Sequence, residues 1–163
     1  AATSNKHSDE TGIVVAGLGA DGDGYVLADR SGRYSPDGWA TRAIKAYSEF
    51  DADRLVPERN NGGDMVTQTI RTLDPDIPIK AVWASKGKYT RAEPVAALYE
   101  QGRVHHVGTH PELESQLTGW DPDEGYSPDR LDALVYALTE LMLGRGPTPD
   151  VGPVSVTGAS AWR

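Results

Sequence analysis

Two carboxylates stand out as candidates for chemistry, and the first is Asp132. It lies in SPDRLDALVYALTELML, the stretch from Ser127 to Leu143. Ser127 is a favoured N-cap and Pro128 fits the first helical position. Asp129 then falls in the first turn, where negative charge suits the helix dipole. Leu131, Leu134, Val135, Leu138, Leu141 and Met142 recur at helical spacing and predict one buried stripe. At about 100° per residue, Asp132 sits on the flank of that stripe and Asp129 almost opposite it. A carboxylate pressed against a core margin is costly unless something positive meets it. An arginine, a helix N-terminus or a metal ion would serve. A salt bridge to Arg130 or Lys88 would also satisfy Asp132, with no chemistry implied. Asp129 has a plainer role, because the same Ser-Pro-Asp opens a helix at Ser35. Asp132 is therefore the preferred ligand of the two.

The second carboxylate, Glu58, ends the short strand DRLVPE and precedes the loop Asn60-Asn61-Gly62-Gly63. Ligand sites in open α/β sheets gather at the carboxyl ends of strands. Glycines there let backbone or substrate come close. Taken alone, a loop glutamate is more simply a solvated one. Pro57 removes a ladder donor and suggests that the strand pairing is ending by Glu58. Lys86, Lys88 and Arg91 flank a glycine where a strand passes into a helix, a setting that suits a phosphate. His105, His106 and His110 match no standard zinc spacing and read as structural or surface residues. There is no P-loop motif.

The elements that must position these groups follow from pattern. Gly12–Gly19 and Tyr25–Arg30 read as two strands of a hairpin around an Asp-Gly turn. Ser35-Pro36-Asp37 starts a helix with Trp39, Ala43, Tyr47 and Phe50 on one face. Met65, Val66, Ile70 and Leu73 mark a second helix, and Pro78–Ser85 the next strand. Thr90 with Glu93 reads as a capping box for a helix running to Gln101 and closed by Gly102. Arg103–Gly108 is a short strand. Thr109 with Glu112 is a further capping box, for a short helix through Leu117. The segment from Gly144 onward, rich in Gly, Pro, Ser and Thr, reads as a flexible tail. The domain is thus 1–143 and the tail 144–163. The order predicts an α/β fold, a mixed sheet with helices on both faces.

At 163 residues the chain suffices for one domain, and 25% charged with 38% hydrophobic residues is an ordinary globular balance. It has no apolar run of membrane-spanning length, so no membrane partner is expected. It has no cysteine, hence no disulfide and no thiolate metal site. A net charge of −8 argues against binding nucleic acid by bulk charge. It leaves room for an enzyme that holds cations in an acidic site and touches DNA through a local basic patch. The polar opening AATSNKHSDET has nothing to anchor to a core, and an element upstream of it is expected.

From about Gly12 to Leu143 the sequence resembles the C-terminal nuclease domain of phage terminase large subunits. The resemblance is carried by DETGIVVAG, YVLADRS, SPDGWA, ERNNGGDMV, WASKGKYTRAEPVAALYEQGRVHHVG, HPELESQLTGW and SPDRLDALVYAL, in that order. It implies a ribonuclease H-like fold and a metal-dependent endonuclease that cuts concatemeric viral DNA during genome packaging. Of the family's three acidic positions, Glu58 matches the second and Asp132 the third, with Asp129 an assisting neighbour. The first is an aspartate on a strand that the resemblance places just upstream of Ala1. These residues alone would then lack one ligand, with Asp9 at most an outer one. The implied cofactors are two Mg²⁺ or Mn²⁺ ions about 4 Å apart, suited to carboxylate oxygens. Lys86, Lys88 and Arg91 would contact DNA phosphates. The implied partners are double-stranded DNA, an upstream ATPase domain of the same polypeptide, the small terminase subunit and the portal protein. The implied location is the host bacterial cytoplasm, transiently at the procapsid portal. A non-catalytic DNA- or protein-binding module of this fold, or a junction resolvase, are the alternatives.

Overall fold

β-Branched residues build the centre of the fold. In this computed structural model, which describes residues 10–59, 65–121, 123, 128–144 and 159–161, β1 (Ile13–Leu18) is buried along nearly its whole length. Val14 and Ala16 pack with the long C-terminal helix, whereas Ile13 packs with Trp39, Ala40 and Ala43. Neighbouring residues of a strand point to opposite faces, so β1 is covered on both. β2 (Gly24–Asp29) pairs antiparallel with β1 and alternates buried and half-buried positions. The turn between them uses Gly22 at φ +83°, a conformation open to glycine without strain.

α1 (Pro36–Glu49) starts as its sequence predicts: Ser35 Oγ accepts from the Gly38 N–H at 3.1 Å. β3 (Glu58–Arg59) pairs parallel with β4 (Val82–Trp83), and Leu55 bridges Ile79 just before them. The expectation that pairing ends at Glu58 is corrected here. Pro57 lacks an N–H, but its carbonyl accepts from Val82 at 3.0 Å, so the ladder runs on through Arg59. The strand expected over Pro78–Ser85 shrinks to that bridge and those two residues. α2 (Met65–Leu73) buries Ile70 but leaves Met65 and Leu73 exposed.

α3 (Lys88–Glu100) begins two residues before the expected Thr90–Glu93 capping box, with Gly87 at the N-cap. Its end is as expected. Gly102 at φ +68° donates to Tyr99 O, and Arg103 N donates to Leu98 O, a Schellman closure. β5 (Val104–His106) joins β2 in parallel. α4 (Pro111–Gly119) has His110, not Thr109, at its N-cap, and it is Glu114 that accepts from the His110 N–H.

α5 (Asp129–Leu138) passes into a π-helical turn over Thr139–Leu143. It departs from the predicted single stripe, because every residue from Arg130 to Leu138 is buried. β1 covers one side, while α3 and α4 supply Val95, Leu98 and Leu113 to the same core. A helix packed all round is a core helix rather than a surface one. Pro128 stands at the N-cap, so the helix starts one residue later than expected, and Ser127 lies outside the described residues. The capping comes from another element: Gln116 Oε1 of α4 accepts from the N–H groups of Arg130 and Leu131, each at 3.1 Å. Gly12 completes the seating. A Cβ there would stand 2.1 Å from the Asp129 carbonyl oxygen, so only glycine lets the start of β1 touch the first turn of α5.

Gln116→Ala leaves those two N–H groups without their acceptor. A cost of about 1 kcal/mol is expected, the usual value of a helix cap. Thermal melts should show a fall of roughly 2–4 °C.

Among the described residues the strands form two sheets rather than the one expected, β5-β2-β1-β6 and β3-β4. β6 (Ala159–Ala161) pairs antiparallel with β1, which corrects the reading of the whole 144–163 segment as a tail. The β1 edge supplies unpaired backbone groups that even a Gly- and Pro-rich segment can satisfy. Residues 145–158 lie outside the described residues. Among the described residues, no helix is long and apolar enough to cross a membrane.

Candidate active site

Three elements bring the candidate residues together. β3 carries Glu58 at its first residue, α5 carries Asp132 in its first turn, and α3 carries Lys88 and Arg91 in its own. On α5, Tyr136 lies four residues after Asp132, which stacks the two side chains on one face. Lys88 Nζ meets Asp132 Oδ2 at 2.6 Å. Arg91 Nη1 lies 3.7 Å from Glu58 Oε1, and the Tyr136 hydroxyl donates to that same oxygen at 3.2 Å. Arg91 also donates to the Tyr136 hydroxyl, and its guanidinium sits 4.9 Å from the tyrosine ring centroid.

The position of Lys88 is informative. A cation in the first turn of a helix opposes the helix dipole, typically by about 0.3–1 kcal/mol. The ion pair to Asp132 on the facing helix offsets that. The salt bridge weighed for Asp132 from the sequence is therefore present, with Lys88 as the partner rather than Arg130. Arg130 turns the other way. Its guanidinium binds Glu10 Oε1 and Asp29 Oδ2, each at 2.7 Å, and fastens the start of α5 to β2.

The carboxylates feel one another. Burial pushes the Glu58 carboxyl above its usual range. Arg91 and Lys88 pull it down, and the negative charge of Asp132 pushes it up again. Asp129 is half-buried and is pushed up to about 6, chiefly by burial. Lys88 and Arg130 oppose that shift, while Asp132 and Glu10 reinforce it. Sequence geometry set Asp129 apart from the core. It lies instead inside the same electrostatic neighbourhood as Asp132, because the helix is enclosed on all sides. Glu58, Asp129 and Asp132 against Lys88 and Arg91 leave an excess of negative charge.

The burial of Asp129, reinforced by the charges of Asp132 and Glu10, makes stability depend on pH. Folding favours the protonated form of Asp129, whose carboxyl rises from 3.8 to about 6. Its contribution is complete below about pH 4 and is lost as pH rises through 6. In EDTA, Asp129→Asn should therefore melt higher than the parent protein at pH 7 and match it near pH 4. Equal differences at both pH values would contradict the assignment.

Among the described residues, no three metal-type side chains converge closely enough to hold an ion by themselves. Asp9 and the loop 60–64 lie outside the described residues. The donor chemistry nevertheless suits a hard cation: two carboxylates from different elements, excess negative charge, and an ammonium resting where a cation would compensate Asp132. Lys86 is exposed, whereas Arg91 is only 13% exposed and faces Glu58. The expected DNA-facing trio is thus divided between an outer lysine and two inward cations, since buried carboxylates draw the cations in.

The histidines stand apart from this site. His105 binds Asp23 at 2.8 Å. His106 lies between the Tyr99 hydroxyl and Glu114, whose carboxyl it lowers. Sequence reasoning did not single out Tyr136, although its spacing from Asp132 in LDALVYAL was a usable signal. Nothing local pointed to Gln116 or to the Glu10–Arg130–Asp29 network.

The terminase RNaseH-like domain family matches residues 1–141. The chain belongs to that family. Its mixed α/β architecture agrees with an RNaseH-like domain, and the family places it among terminase nuclease-type domains. No curated protein matches the chain.

Proposed function

We propose that this terminase domain is a metal-dependent endonuclease that hydrolyses phosphodiester bonds of concatemeric double-stranded DNA. One observation supports the reading most: Glu58 and Asp132, distant in sequence, share with Asp129 a site in which three carboxylates face Lys88 and Arg91. Glu58 and Asp132, with Asp129, would hold Mg²⁺ or Mn²⁺. A bound pair of such ions would supply Lewis-acid activation of water and charge stabilisation of a leaving oxygen.

This chain's own residues do the rest. Tyr136 fixes the Glu58 carboxylate through its hydroxyl. Lys88 and Arg91 offset only part of the acids' charge and would meet phosphate oxygens entering the site. Lys86 contacts the backbone outside it, by charge and without reading sequence. The partners that fit this role are double-stranded DNA, an ATPase domain on the same polypeptide, the small terminase subunit and the portal. The role places the protein in the host bacterial cytoplasm and at the procapsid portal.

The test is plasmid cutting by the full-length protein that carries this domain. Cutting should appear with Mn²⁺ or Mg²⁺ and stop with EDTA. Full activity in both Glu58→Ala and Asp132→Ala would sink the proposal. A second reading, a non-catalytic module of the same fold, has one observation in its favour: Lys88 and Arg91 already satisfy the two acids. It requires that titration with Mn²⁺ show no binding that depends on Glu58 and Asp132.

A further inference from the structure

A groove of about 610 Å³ runs away from the carboxylate site. Arg91 and Tyr136, which touch Glu58, also form its inner end. β4 supplies Val82 and Trp83 to its wall, α3 supplies Pro94, and the π-helical turn supplies Leu143. The turn is held in place by Glu140, which binds Lys80 at 2.8 Å and Arg54 at 3.3 Å. π-Turns within helices often occur at functional sites, and this one shapes the groove's outer end.

Trp83 is unusual in being 57% exposed, although it belongs to a strand. The Arg59 guanidinium lies 5.1 Å from its ring centroid, and Arg59 pairs with Trp83 across the ladder one step beyond Glu58 and Val82. Lys86, also exposed, stands at the same wall. An exposed indole lining an apolar groove, with Arg59 over one face of its ring and Lys86 lining the same groove, presents aromatic surface and phosphate partners together. That combination matches a nucleotide: the base stacks on the aromatic ring while the phosphate meets the cations. An apolar peptide would make no use of Arg59 and Lys86, and a paired base cannot offer its face.

We propose that this groove binds an unpaired base of the DNA strand next to the bond being cut, with Trp83 as the stacking platform and Arg59 and Lys86 as its phosphate partners. The domain then prefers DNA that is locally opened at the site over continuous duplex. The inference rests on the nuclease reading.

Its test is binding, not cutting. Fluorescence anisotropy of labelled oligo(dT), with the full-length protein in EDTA, gives the single-strand affinity. Trp83→Ala should weaken it about 5- to 150-fold, the loss that follows from removing one base–aromatic stack. Trp83→Phe keeps an aromatic face and should recover most of the affinity. Affinity for duplex of the same length should stay within about 2-fold in both variants. Trp83 is exposed, so neither change should lower the melting temperature appreciably. Unchanged oligo(dT) binding in Trp83→Ala overturns the inference, even if the protein cuts DNA normally. Binding that depends on Trp83 in a protein that cuts nothing overturns the nuclease reading instead.

Discussion

Asp132→Asn will yield a folded protein that binds duplex DNA and does not cut it. Asparagine keeps the shape of a side chain that is 7% exposed and removes only its charge. Lys88, at 36% exposure, can turn to water when its partner is lost, so the stability cost stays near that of a surface ion pair, about 0–1 kcal/mol. Catalysis has no such escape. Losing one oriented charge at a reacting centre typically costs about 100- to 1000-fold, and a metal-holding carboxylate should be at the upper end. Single-turnover cutting with Mn²⁺, run beside a thermal melt, separates the two effects. A normal melt with cutting reduced only a few-fold would contradict the role given to Asp132.

Arg130→Ala should cost much of the domain's stability. Arg130 is 9% exposed and bonds Glu10 and Asp29 at once. The Asp29 side chain is only 5% exposed, and removing the arginine leaves its charge buried without its counter-ion. Breaking a buried pair in this way costs about 3–5 kcal/mol. For a domain of this size that lowers the melting temperature by about 6–20 °C. Arg130→Lys should restore only part of it, because one ammonium cannot match a guanidinium that grips two carboxylates. The two-residue link also holds the first turn of α5, so cutting should fall together with stability. A shift of less than about 2 °C in Arg130→Ala would show that water replaces the arginine.

What the sequence made legible was local. The hairpin, the Ser35 cap and the Gly102 closure each depend on residues near one another in sequence. Glu58 and Asp132 stood out by their places at a strand end and on a helix flank; that they share one electrostatic neighbourhood was not readable from either. What was not legible depends on pairs of elements. At the start of α5, Gln116 of α4 accepts from the N–H groups of Arg130 and Leu131, a contact between elements far apart in sequence. The Thr90–Glu93 and Thr109–Glu112 boxes had the right spacing, yet both helices start elsewhere. For α3, the earlier start puts Lys88 opposite Asp132. Arg91 read as a surface cation because nothing in its neighbours says that Tyr136 and Glu58 wait on the other side. β6 was hidden by composition, since a strand that only completes an edge needs little side-chain pattern.

The central claim is that Glu58 and Asp132 form one divalent-cation site. The most direct test is anomalous scattering from Mn²⁺ in crystals of the full-length protein. A peak is expected within coordinating distance of both carboxylates, with Lys88 displaced from Asp132. The absence of a peak there under saturating Mn²⁺, with Lys88 still bound to Asp132 and Arg91 to Glu58, would contradict it and leave a domain whose acids serve only its fold.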